Sequence, residues 1–291
     1  MNTPIVYHGT PLGDYLKALQ AAKIRTICVS YFACSGRGWE EALAGDYKHR
    51  VLLDSGAFSW MNALLKKHLS RKDAEKAVDA YIAKYAAWCV EQRKHLDHYI
   101  TFDYLPEAKL TWDICIKLKK RYGLDAMPVY HGDVSTDVLR RYKEELGHDW
   151  ICISKRNYWS DQVQLRRYYD GVFNMTEKLR MRCHGLACTG RMLLDYPWYS
   201  VDSTLVIKAT SKMELLYLSE QTCRPTIVRA RVRGIESAKQ RISLLNGYNI
   251  DDIMADPYVR FQYNAEVFQK FMGLVYARSA KSKPMLKRTL F

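Results

Sequence analysis

The chain repeats one unit: a short apolar segment that ends in a polar or glycine-containing turn, then an amphipathic helix. Apolar segments of strand length lie near 4–8, 26–31, 50–54, 98–103, 126–130, 150–154, 184–187 and 199–203. The stretch at 71–94 carries Ala74, Val78, Ile82, Tyr85 and Cys89 at three- and four-residue spacing, the period of a helix with one buried face. Ser70, three residues before Asp73, has the form of an N-cap. Residues 107–121, 135–146 and 172–181 also read as helices. Alternating strands and helices require a parallel sheet with helices packed on it. Eight strands fit a (β/α)8 TIM-like barrel, and an open doubly wound sheet satisfies the same pattern. Past about residue 205 the alternation fades into a basic stretch read as helical. The expectation is one α/β domain over 1–291, with 207–291 as a basic helical C-terminal elaboration of the barrel.

At 291 residues, 48% apolar and 26% charged, the chain can bury a substantial core. It has no apolar run long enough to span a bilayer, and "MNTPIVYHGT" lacks the charged leader and hydrophobic stretch of a signal peptide. A soluble cytoplasmic protein with no membrane partner is expected. The net charge of +14 favours a polyanionic partner, nucleic acid first. Residues 224–291 hold thirteen Lys/Arg against five Asp/Glu, which makes Arg229, Arg231, Arg233, Lys281 and Lys283 candidate backbone contacts. A merely solvated basic surface is the alternative. Eight scattered cysteines without a Cys-x-x-Cys pair read as reduced, buried thiols.

Three of the strand segments end in an aspartate: Asp54 in "LLDSGAFS", Asp103 in "YITFDYLP" and Asp202 in "WYSVDSTLV". All strand ends of a parallel barrel face one side, so the three carboxylates are expected to meet at its mouth. Paired carboxylates suit chemistry at a glycosidic carbon, one attacking or shielding it and the other moving a proton. They also suit a metal. His8, His49, His131 and His184 show no His-x-His or His-Glu-x-x-His spacing, so no metal is assigned. Nor does a phosphate-binding glycine motif follow any strand.

These segments resemble, in order, motifs of the tRNA-guanine transglycosylase superfamily, whose members are (β/α)8 barrels. "DSGAFS" is similar to its Asp-Ser-Gly-Gly-Phe motif and "FDYLP" to its Phe-Asp-x-x-x-Pro segment. "PVYHG" is similar to its Val-Gln-Gly-Gly turn, "HGLACTG" to a later glycine-bearing strand, and "SVDST" to the strand of the nucleophilic aspartate. The resemblance covers roughly residues 50 to 206. It implies Asp202 as the nucleophile at C1′, Asp54 as general acid/base, and Asp103, Tyr130, His131, Ser154, Lys155, Gly185 and Phe58 around the base. It implies no cofactor, with a 7-deazaguanine such as preQ0 as co-substrate.

The departures are specific. Tyr130 and His131 fall where the family has its recognition glutamine. "ISKRN" replaces a Gly-Gly-Leu strand end and turns Lys155 and Arg156 toward a phosphate or base carbonyl. The zinc-binding Cys-x-Cys-x-x-Cys…His segment is missing. These departures resemble the phage and genomic-island branch that inserts 7-deazaguanines into DNA, so DNA is favoured over tRNA as partner. A non-catalytic nucleic-acid-binding barrel is the alternative from a different class.

Overall fold

The computed structural model describes residues 4–9, 14–34, 49–103, 108–132, 135–154, 161–188, 192–219, 226–231 and 248–279. Eight parallel strands form one sheet: β1 (Ile5–Gly9), β2 (Thr26–Ser30), β3 (Arg50–Asp54), β4 (His98–Tyr99), β5 (Val129–Tyr130), β6 (Trp150–Ile153), β7 (Arg182–Gly185) and β8 (Ser200–Ser203). Their order is β4-β3-β2-β1-β8-β7-β6-β5. The two outer strands are joined by a parallel bridge between Ile100 and Met127. There the Met127 N–H donates to the Tyr99 carbonyl and the Thr101 N–H to the Met127 carbonyl, both at 2.9 Å. The sheet thus closes on itself as a TIM-like barrel, and all eight expected segments supply its strands.

Alternation along each strand sorts the side chains into two cores. Tyr7, Leu52, Ile100, Met127, Val129 and Cys152 fill the barrel interior. Their neighbours Val6, Ile27, Val51, Leu53, Ile151 and Val201 point outward into the larger core beneath the helices. Those helices are α1 (Asp14–Ala21), α2 (Tyr31–Cys34), α3 (Ala57–Leu65), α4 (Arg71–Gln92), α5 (Ala108–Tyr122), α6 (Asp137–Glu144), α7 (Gln162–Lys178), α8 (Met192–Asp195) and α9 (Leu205–Ser211). α4 starts as its sequence requires, with Ser70 extended and its hydroxyl accepting the Asp73 N–H at 3.2 Å. Its buried face is Val78, Ile82, Tyr85, Ala86 and Cys89. α7 begins ten residues earlier than periodicity alone suggests, because the Asp161 carboxylate caps it by accepting the Val163 N–H at 2.7 Å.

The C-terminal part carries the expected helices, with a hairpin before them that the sequence does not announce. An antiparallel hairpin, β9 (Glu214–Ser219) and β10 (Thr226–Arg231), precedes α10 (Ile250–Ala255) and α11 (Pro257–Ser279). Buried Asn264 of α11 fixes the hairpin, accepting the Leu216 N–H at 2.8 Å and donating to the Glu214 carbonyl at 3.1 Å. Phe268 of the same helix packs edge-on against His8 of β1, and Phe261 against Tyr15 of α1. The long last helix therefore belongs to the barrel's outer layer. No helix among the described residues is long and apolar enough to cross a membrane.

Candidate active site

The "DSGAF" turn is built around one backbone requirement. Asp54 closes β3, and its Oδ1 accepts the Gly56 N–H at 3.1 Å. Gly56 sits at φ 71°, and a Cβ there would meet the Cβ of Phe32 at 2.5 Å and Ser30 Oγ at 2.8 Å, so only glycine fits. Buried Ser55 ties the turn to its neighbours. Its hydroxyl donates to the Thr101 carbonyl at 3.4 Å, and its own carbonyl accepts the Tyr81 hydroxyl at 2.7 Å.

The three aspartates converge on the barrel mouth. Burial raises the Asp54 carboxyl to about 7; the Gly56 N–H opposes this, and the nearby charges of Asp103 and Asp202 add to it. Beneath them lie Cys28 and Cys152, whose thiols are held well above their ordinary range by burial and then by the carboxylates, Asp202 first. Such thiols stay protonated and do not act as nucleophiles. Cys28, Cys34, Cys89, Cys115, Cys152 and Cys183 are free thiols. Among the described residues no group of three His, Cys, Asp or Glu is placed to hold a metal ion.

Asp202 is the most firmly held of the three. Its Oδ1 accepts the Ala187 N–H at 2.9 Å and lies 3.3 Å from His184 Nε2. Ala187 has a positive φ of 47°, an uncommon conformation that aims its N–H at the carboxylate. Behind His184, Nδ1 meets Ser200 Oγ at 2.8 Å. Ser200, His184 and Asp202 thus form a chain on the adjacent strands β7 and β8. Asp103 stands opposite, its Oδ2 3.2 Å from His131 Nε2. His131 is only 4% exposed, yet neither ring nitrogen has a hydrogen-bond partner in good geometry among the described residues.

The other residues singled out by sequence fall in different places. Ser154 lies at the end of β6, and its carbonyl accepts the Tyr168 hydroxyl at 3.1 Å. Tyr130 points away from the mouth and stacks on Tyr168 in the helix layer. Gly185 also faces outward, since a Cβ there would meet Cys188 and the Trp198 ring within 3.0 Å. Alternation puts the Tyr130 side chain and the Cα face of Gly185 on the outer side of the barrel. Phe58 is 57% exposed on the first turn of α3. Arg229 and Arg231 lie on β10. Lys155, Arg156, Arg233, Lys281 and Lys283 lie outside the described residues. The functional pair missed by sequence reasoning is Ser200 with His184. The signal was inward alternation on two neighbouring strands, which no linear spacing motif captures.

No family model matches the chain, and no curated protein does. Among solved structures, it is similar to the crystal structure of a putative fructose-1,6-biphosphate aldolase from Coccidioides immitis. Identity is 10% and the TM-score 0.48, over 96% of this chain and 92% of that one. Likeness at this level carries no activity across. The assignment as a DNA guanine transglycosylase is nevertheless corrected. No family model and no curated protein stands behind guanine exchange. The motifs lie at strand ends of the barrel, and the glycine of the Asp-Ser-Gly turn is required there on backbone grounds.

Proposed function

We propose that this barrel is an enzyme that breaks or transfers a glycosidic bond by carboxylate chemistry. The observation that carries this is the unlike state of two carboxylates at one mouth. Burial and like charge move Asp54 to about 7, while Asp202 Oδ1 is held by the Ala187 N–H at 2.9 Å and lies 3.3 Å from His184 Nε2. Two carboxylates in such unlike surroundings can serve as an acid and a nucleophile in one pocket. Asp202 Oδ2 attacks the anomeric carbon as the bond to the leaving group breaks. Asp54 gives its proton to that departing atom. Asp54, now ionised, then takes a proton from water or another acceptor, which displaces the Asp202 ester and restores both groups. Asp103 and His131 hold a polar group of the substrate. The net charge of +14 supports an anionic substrate or partner, nucleic acid included.

Trapping the ester tests the reading. A panel of activated 2-deoxy-2-fluoro glycosides, whose esters turn over slowly, is incubated with the protein and intact mass is measured. One added glycosyl unit on the peptide containing Asp202, absent from Asp202→Ala, is expected. Label mapped to another residue, or turnover that survives Asp202→Ala, overturns the proposal.

A further inference from the structure

Two of the groups around Asp202 do no chemistry in the reaction just proposed. His184 and Ser200 are both fully buried, on neighbouring strands, and both face the barrel interior. Ser200 Oγ is 2.8 Å from His184 Nδ1, and His184 Nε2 is 3.3 Å from Asp202 Oδ1. An ionised carboxylate can only accept, so Nε2 must carry the hydrogen. In a neutral imidazole Nδ1 is then an acceptor, which the Ser200 hydroxyl satisfies by donating its proton. With the Ala187 N–H also on Oδ1 at 2.9 Å, both donors act on the same oxygen. The Tyr7 ring packs edge-on against His184 and fixes the plane in which Nε2 points.

We infer that His184 is a positioning residue, locked by Ser200 into the Nε2–H tautomer, that holds Asp202 by Oδ1 and leaves its Oδ2 for the substrate. The inference rests on the proposed role of Asp202, but it is tested on the carboxylate itself, without turnover. The titratable groups around Asp202 are Asp54 from β3, Asp103 at the same mouth, Cys28 from β2, Cys152 from β6, His184 from β7 and, in register on β1, Tyr7.

The Asp202 carboxyl is titrated by carbon-13 NMR in protein labelled at aspartate, its signal assigned by loss in Asp202→Asn. His184→Phe is expected to raise the Asp202 midpoint by about one pH unit or more, because a charge-stabilising donor is lost. His184→Gln, whose amide supplies a donor near Nε2, is expected to restore most of that shift. Nitrogen-15 spectra of the wild-type imidazole give a readout that survives if His184→Phe does not fold. They are expected to show Nε2 protonated and Nδ1 bare at neutral pH, and Ser200→Ala to weaken that preference. A bare Nε2, or an Asp202 midpoint that is the same with Phe and Gln at 184, overturns the inference. Either result leaves the glycosidic reading to stand or fall on its own trapping test.

Discussion

The two ends of the barrel handle the same side-chain types in opposite ways. At the end where the strands begin, the charged groups and His148 are paired, although the buried Tyr7 hydroxyl has no hydrogen-bond partner among the described residues. His148, 3% exposed, has Nδ1 3.4 Å from Asp125 and Nε2 3.4 Å from the Cys115 sulfur. Asp97 takes the Val51 N–H at 2.6 Å and an ion pair from Arg50. Inside that rim, Arg182 lies over the Trp150 and Tyr199 rings, and His98 packs on Trp150, closing the floor. At the mouth, equally buried His131 leaves both ring nitrogens without a good partner, and three carboxylates share one space. An unmet buried donor costs about 1–3 kcal/mol. Each end carries some of that cost, in Tyr7 below and His131 above, but only the mouth also gathers three carboxylates, which is how a site differs from a plug.

The largest expected effect of breaking the mouth is on rate. Replacing the proposed nucleophile by Asp202→Ala should reduce turnover of an identified glycoside by about a thousandfold or more. Thermal stability should stay the same or rise, because a crowding charge is removed from Asp54. A comparable loss of activity on altering the floor would erase the contrast between the ends.

Next in size is a pH effect set by Asp54. Its folded carboxyl titrates near 7, well above the ordinary value of 3.8. Between these two values the folded state binds more protons than the unfolded one, so stability falls as pH rises across that window and levels off above about 7. Asp54→Asn removes the penalty. It should be more stable than wild type at pH 8, by about 2 kcal/mol after allowing for solvent at the mouth, and no more stable at pH 4. Urea denaturation at the two pH values measures this. Activity of the wild type should decline as pH rises through about 7, as the proton to be donated is lost.

Much of this plan is legible in the sequence. All eight strands are visible because each is a short apolar run ended by a turn, and strand identity is a local property. The convergence of Asp54, Asp103 and Asp202 follows from the closure of a parallel barrel alone. What escapes is non-local. The β9–β10 hairpin is held by Asn264, some fifty residues away, and its first strand, "ELLYLS", alternates too weakly to stand out from a helical tail. His184 reads as isolated because its partners, Ser200 and Asp202, lie sixteen and eighteen residues on, across a strand-to-strand register. Tyr130 and His131 are adjacent in sequence and diverge completely in space, one in the helix layer and one at the mouth, because a strand turns successive side chains to opposite faces.

Paired substitutions of the two buried histidines sharpen the contrast at the smaller end of the scale. Burial lowers the His148 pKa, so the fold holds its ring neutral, and stability is lost as pH falls below the unfolded histidine value of about 6.5. His148→Ala deletes a packed ring and strands the Cys115 thiol. It should cost about 2 kcal/mol at pH 8 in urea denaturation, less at pH 5, and leave turnover unchanged. His131→Leu is the smaller effect and the sharper test, because its sign differs. It trades a ring with two unmet nitrogens for an apolar side chain, so stability should hold or rise by up to about 1 kcal/mol. Substrate affinity should fall in the same variant, since the Asp103 carboxylate loses the neighbour that completes its polar edge. If His131→Leu instead destabilises the fold as much as His148→Ala does, then the imidazole at the mouth is packing rather than recognition, and the two ends differ only in their carboxylates.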